Sequence, residues 1–211
     1  MILTAIGMEA SCIAGRFGQK TPNSEKHVQF EHNGYDIDMR VTGVGAIRLP
    51  EIAGDPPAAI IMAGLAGALD PELKIGDVII DEASTWPAKN LPIPRRKIHT
   101  AHSLVASVGD KSTLYASTGA AAVEMENAAV RELARKWGAP YLGIRSISDK
   151  ADQPLDPAVL KCINPFGGAK MEIVYRTLRR PGLIAEFYRL FRDSSTALKT
   201  LAPAVESIFA S

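Results

Sequence analysis

Cysteine is nearly absent from this chain: Cys12 and Cys162 are the two in 211 residues. They lie far apart, and neither has a second ligand-type residue at C-x-x-C spacing. That excludes a disulfide framework and a zinc knuckle; it points to a reducing compartment, with both thiols serving as small buried hydrophobes. An excess of either charge is also missing, with 24 Lys+Arg against 23 Asp+Glu. No global positive field draws such a chain onto nucleic acid. No window holds eighteen apolar residues, so no bilayer-spanning helix is expected. The start, Met1-Ile-Leu-Thr-Ala-Ile-Gly, lacks a basic n-region and a cleavage site and reads as a buried strand rather than a signal peptide, which makes the cytoplasm the expected location. The histidines, His27, His32, His99 and His102, occupy polar, loop-like or hairpin contexts, with Pro92, Pro94 and Arg95-Arg96-Lys97 preceding the last two. No metal site is expected from them.

What is present is enough apolar sequence, 46%, for one sizeable core, and residues 1–211 are read as a single domain. Residues 2–7 form an apolar strand running into a helix at Glu9–Phe17. Val28 and Phe30, then Tyr35, Ile37, Met39 and Val41, alternate with polar residues around Asn33-Gly34, the pair that a type I′ hairpin turn needs. Gly43-Val44-Gly45 then opens a helix carrying Ile47, Leu49 and Ile52. A buried strand over 58–62 reaches a small-residue turn at 63–69, and 77–80 is another strand. Residues 86–97, rich in proline and base, read as a mobile loop. Val130, Leu133, Ala134 and Trp137 mark a helix from Glu126 that stops at Gly138. Tyr141–Ile147 is a strand ending at Ser148-Asp149. An amphipathic helical segment spans about 168–210, broken at Pro181. Strands alternating with helices after one hairpin predict an α/β three-layer sandwich with a central mixed sheet.

In such sheets chemistry gathers where strands end and helices begin. Four such ends carry suggestive groups: Glu9, the turn with Ala66 and Gly67, Glu124-Met125-Glu126, and Ser148-Asp149. Taken singly each is weak; an acid opening a helix is most often only a dipole-stabilised first-turn residue.

In combination they resemble a family. Ala63 to Leu69 followed by Ile75-Gly76-Asp77-Val78-Ile79, then Ala122-Val123-Glu124-Met125-Glu126-Asn127-Ala128-Ala129, then Arg145-Ser146-Ile147-Ser148-Asp149, is similar to purine nucleoside phosphorylases and methylthioadenosine/S-adenosylhomocysteine nucleosidases. Thr4 to Ala10 and the stretches 178–182 and 190–194 resemble the hopanoid-associated phosphorylase subgroup, which acts on adenosylhopane. The resemblance implies a nucleoside phosphorylase-like fold and an enzyme that cuts the N-glycosidic bond of an adenine nucleoside bearing an apolar 5′ group. It implies that Asp149 protonates purine N7 and pairs with a 6-amino group, its acidity weakened by burial. Ser148 then orients Asp149, Glu126 accepts from the ribose hydroxyls, Met125 lies against the sugar, and Glu9 is the general base, provided the turn before it is shortened. Glu124, Ala66 and Gly67 complete the expected substrate contacts. No cofactor is expected, although phosphate is open as co-substrate.

Holding phosphate takes arginine or hydroxyl donors. Where phosphorylases carry Arg at the end of the third strand this chain has Met62, and where they carry Ser in the glycine turn it has Leu65. Hydrolysis is therefore favoured, with Arg40, Arg48 or Arg145 left as means of rebuilding an anion site. Two other readings stay open: a non-catalytic nucleoside-binding protein of this fold, and a nicotinamide-binding Rossmann domain through Gly43-Val44-Gly45, which lacks its third glycine. The expected partners are a purine nucleoside, lipid-tailed in the hopanoid case, and further copies of the chain. The tail, with Phe187, Tyr188, Leu190 and Phe191 among Arg179, Arg180, Arg189 and Arg192, is read as core or subunit interface, with peripheral contact at the inner membrane face as the alternative.

Overall fold

The computed structural model describes residues 1–20, 27–49, 52, 54–86, 91–156 and 182–210. A mixed sheet forms the middle layer. Its strands are β1 (Ile2–Thr4), β2 (His27–His32), β3 (Tyr35–Val41), β4 (Ile60–Ala68), β5 (Val78–Asp81), β6 (Arg95–Arg96), β7 (Ile98–Thr100), β8 (Ala122–Glu124) and β9 (Tyr141–Asp149). The spatial order is β2-β3-β1-β4-β9-β5-β6, with β8 on the end of β4 and β7 beside β8. β1, β3, β4 and β9 run parallel, β2 runs against β3, and β5 runs against β9 but parallel to β6. The hairpin turns where expected, with Asn33 and Gly34 at φ 50° and 79°, the two positive values of a tight primed turn.

Helices cover both faces, which is why the central strands read as unbroken apolar runs. α1 (Gly7–Arg16) and α4 (Gly182–Ser207) pack on one face; α3 (Asn127–Trp137) packs on the other. Alternation assigns the side chains: Ile2, Ile61 and Ile144 meet Ile13, Leu198, Leu201 and Val205, while Leu3, Ile60 and Met62 meet Val130 and Ala134. The α/β sandwich read from the pattern is the observed fold. Among the described residues no helix is long and apolar enough to cross a membrane.

The structure differs from the sequence reading in four places. Residues 63–68 are not a turn but the second half of β4, because small side chains let neighbouring groups close over a continuing strand. The basic stretch is ordered where described: Arg95 donates to the carbonyls of Ser84 and Trp86 at 3.0 and 2.9 Å, Arg96 pairs with the buried Asp70, and both residues join β5 as β6. The expected helix after Gly43 is one 3-10 turn, Val44–Ala46, with Gly43 before it and Gly45 within it at φ 80° and 70°. Finally, α2 (Val108–Thr118) is a helix that apolar periodicity does not show. The tail before 182, including Pro181, lies outside the described residues, as does Cys162.

Candidate active site

The strand ends do converge. β1 delivers the chain into α1, whose first turn carries Glu9. Its carboxylate turns back, Oε2 accepting from the backbone N–H groups of Ala5 and Ile6 at 2.9 and 3.0 Å, while Oε1 accepts from Leu65 N–H at 2.9 Å. The shortened turn thus still brings Glu9 against β4. It is 3% exposed, and burial raises its pKa to about 7, against the opposing pull of Arg145 and the backbone donors.

Arg145, at the middle of β9, is fully buried among acids. Its Nη2 donates to Glu124 Oε2 at 2.5 Å, to Asn127 Oδ1 at 2.7 Å and, more loosely, to Glu126 Oε2 at 3.3 Å. Burial alone would lower the guanidinium; Glu124, Glu126 and Glu9 together hold it above its ordinary value. The remaining nitrogen, Nη1, is buried with no hydrogen-bond partner. It lies over Gly64, where an added Cβ would be 2.4 Å from Nη1 and 2.9 Å from Glu9 Oε1. Glycine there is what lets the cation and the acid share one spot.

Glu126 is buried, and burial raises its pKa although Arg145 opposes this. Its Oε1 accepts from Gly45 N–H at 2.9 Å, so the 3-10 turn closes over the acid. Glu124 lines the adjoining cavity, but its carboxylate is already engaged: Oε2 accepts from the N–H groups of Glu126 and Asn127 and from Arg145, and Oε1 accepts from Thr100 Oγ1 at 2.6 Å. Its visible work is to open α3 and anchor Arg145.

Across the site, Asp149 closes β9. The β4 to β9 register slips between Ala66 and Gly67, leaving Ser148 as an extra residue; such a bulge re-aims side chains. Ser148 Oγ reaches Asp149 Oδ1 at 3.0 Å and Ala66 O at 3.3 Å. A Cβ on Gly67 would stand 2.8 Å from Asp149 Oδ2. That same oxygen accepts from Lys111 Nζ, on helix α2, at 2.5 Å. Gly67, Leu104, Val105, Met125, Asp149 and Leu155 line a cavity here of about 50 Å³.

All eight residues singled out in the sequence therefore lie at this one end of the sheet. Three further groups stand beside them: Arg145, read in the sequence only as a possible anion ligand and here the cation that the acids surround, Asn127 as its brace, and Lys111, the last two not singled out in the sequence. The first two sit inside the quoted motifs and betray themselves only by a charge and an amide in otherwise buried strands and turns. Lys111 had a cue in Ser107 and Asp110, a helix-start pair three apart. Among the described residues no cluster of acids, histidines and cysteines could hold a metal ion.

This geometry defines an α/β chain with buried acids at its strand ends, and comparison with known proteins shows what the chain is similar to. A model of the Phosphorylase superfamily matches residues 81–164, bearing out the superfamily resemblance of the motifs. A 5'-methylthioadenosine/S-adenosylhomocysteine nucleosidase of Shewanella halifaxensis is 28% identical over 169 residues, covering 58% of this chain and 73% of the relative. One from Shewanella oneidensis is 27% identical, covering 58% and 71%. Among solved structures, futalosine hydrolase of Helicobacter pylori superposes with a TM-score of 0.64 at 20% identity, covering 98% of this chain and 96% of that one. The 5'-methylthioadenosine/S-adenosyl homocysteine nucleosidase of Helicobacter pylori, complexed with an amino-pyrrolopyrimidine compound, gives 0.64 at 20%, covering 98% and 97%. These structures share the fold.

Proposed function

We propose that this protein is an enzyme that cleaves the N-glycosidic bond of an adenine nucleoside, with water as acceptor of the sugar. The observation carrying the proposal is the pairing of a buried acid of pKa about 7, Glu9, with a separately held acid, Asp149, on the other side of one strand end. The names of the relatives agree with it. As the C1′–N9 bond breaks, positive charge grows on the sugar and basicity on the purine. Asp149 gives a proton to N7. Water adds to C1′, and Glu9 takes its proton, a task for which a base poised near neutrality is suited. Glu126 accepts from the ribose hydroxyls, and Met125 lies against the sugar.

Water fits better than phosphate. Three carboxylates, Glu9, Glu124 and Glu126, surround the guanidinium of Arg145, which is bound to two of them. Arg40 is held by Asp38 at 2.8 Å on the hairpin. A phosphate dianion would enter a site already rich in negative charge, whereas the spare Nη1–H beside Glu9 suits a neutral water. An apolar 5′ group, with adenosylhopane as the lipid-tailed case, follows from the subgroup resemblance and from the apolar wall of Leu104, Val105 and Leu155. The test is incubation with methylthioadenosine, adenosine and adenosylhopane, with and without phosphate. Free sugar and adenine are expected in both buffers; sugar 1-phosphate formed only with phosphate overturns the hydrolytic part, and no adenine from any of them overturns the whole.

We place the enzyme in the cytoplasm as a homo-oligomer. Ile184, Tyr188 and Phe191 of α4 are exposed, at a spacing that makes one stripe. Membrane contact is the second reading, and it is weakened because Arg189 and Arg192 are tied to Glu186 and Asp193.

A further inference from the structure

We infer that Lys111 is a specificity-determining residue of this site: it fixes Asp149 Oδ2 as a hydrogen-bond acceptor and thereby selects a 6-amino purine over a 6-oxo purine. This rests on the site reading proposed above. Lys111 touches no substrate in this scheme and acts through Asp149, so it is a positioning residue.

Its placement is unusual for a lysine. The side chain is 1% exposed, and an ammonium is tolerated at such depth only when its hydrogens are all taken up. Here they are. Nζ donates to Asp149 Oδ2 at 2.5 Å, to Lys150 O at 2.7 Å and to Gln153 O at 3.0 Å. An ammonium has three donors and no acceptor, so Oδ2 can only accept along that contact.

The other oxygen is not fixed in this way. Ser148 Oγ has one hydrogen and two acceptors within reach, Asp149 Oδ1 at 3.0 Å and Ala66 O at 3.3 Å. When the hydroxyl points to Oδ1, that oxygen accepts. When it turns to Ala66 O, Ser148 Oγ can instead accept a hydrogen bond from a proton carried on Oδ1. Oδ1 is thus the oxygen free to carry and release a proton, and Oδ2 is not. Gly67 leaves bare backbone beside the carboxylate, since a Cβ there would be 2.8 Å from Oδ2.

A purine presents N7 and its 6-substituent side by side. With Oδ1 delivering the proton to N7, Oδ2 faces the 6-position as an acceptor. An amino group donates to it; a 6-oxo group sets acceptor against acceptor. Sites built on such a bond reject the mismatched partner strongly. Without Lys111 the acid proton can sit on either oxygen, and a proton on Oδ2 would satisfy a 6-oxo group.

The experiment compares kcat/KM for two nucleosides alike in sugar and 5′ group and differing only in 6-amino or 6-oxo, in the wild type, Lys111→Met and Lys111→Gln. Lys111→Met should lower the 6-amino preference by about tenfold or more, while Lys111→Gln, which keeps a donor, retains most of it. A purely structural role would slow both substrates together and leave the ratio untouched, and that result overturns the inference. Calorimetry of adenine and hypoxanthine on the intact wild type covers the case in which Lys111→Met does not fold: adenine should bind at least about tenfold tighter, and equal affinity overturns the inference. A wild type that splits neither nucleoside defeats the site reading itself, and this inference with it; adenine release with an unchanged variant ratio defeats only the role of Lys111.

Discussion

Glu9 links the site to stability through its proton. Its pKa is raised to about 7 from an ordinary 4.5, with burial as the main cause. Between those values the folded chain keeps a proton that the unfolded chain releases, so the stability contribution of Glu9 falls as pH rises through that window. By pH 8 the loss approaches about 3 kcal/mol. The stability of Glu9→Gln relative to wild type should therefore climb from pH 5 to pH 8 in urea titrations, and a flat difference would refute burial as the cause. Activity should rise over the same range as the base becomes ionised. Asp149→Asn removes the transferable proton and should slow adenine release about a hundredfold or more, read in a coupled adenine assay. Gly67→Ala should cost activity, because the atoms nearest the new methyl are those of the Asp149 carboxylate; unchanged kcat would show that Asp149 tolerates displacement. Asp149 and Glu126 were legible because acids at the ends of buried apolar strands stand out. Lys111 was not, since a lysine in a polar stretch reads as a solvated residue until tertiary structure buries it.

Elements were legible where one face is apolar. The hairpin, α3 and the strands of the central sheet followed from period 2, period 3.6 and turn residues, since alternation and Gly138 state them locally. β4 past Met62 was misread because its alanines and glycines are chosen for what lies over them, Arg145, Glu9 and Asp149, rather than for strand propensity. α2 escaped for the opposite reason: it buries Lys111 instead of an apolar stripe. Its stability leans on its ends. Ser107 Oγ accepts from Asp110 N–H at 3.0 Å, and Gly119 closes the helix at φ 65°. Ser107→Ala should destabilise the chain by about 1 kcal/mol in denaturant titrations, and because α2 carries Lys111 it should also reduce 6-amino preference. A stability loss without any change in preference would mean that Lys111 holds its place independently of the cap.

At the scale of the whole molecule, α4 is two helices in one. Its second half is core: Leu198, Leu201, Ala202 and Val205 are buried against α1 and the sheet, and Phe209 stacks edge-on to Phe17 at 5.8 Å. Its first half turns Ile184, Tyr188 and Phe191 outward, 58%, 68% and 64% exposed, and three large apolar side chains in one stripe exceed the scattered exposure that needs no explanation. The sequence showed the aromatic and basic residues together but not how they divide around the helix. Arg189 bonds to Glu186 and to the carbonyl of Pro154, and Arg192 to Asp193, which also receives Gln153. These arginines are spent on their own chain and on the segment after Asp149, so they offer little attraction to an anionic surface. A hydrophobic contact between copies should therefore win. Sedimentation should show concentration-dependent association that survives high salt, and Tyr188→Glu with Phe191→Glu should leave a folded monomer, since both positions are exposed. Binding to anionic vesicles at low salt, abolished by salt and by neutralising Arg192, would instead favour the membrane.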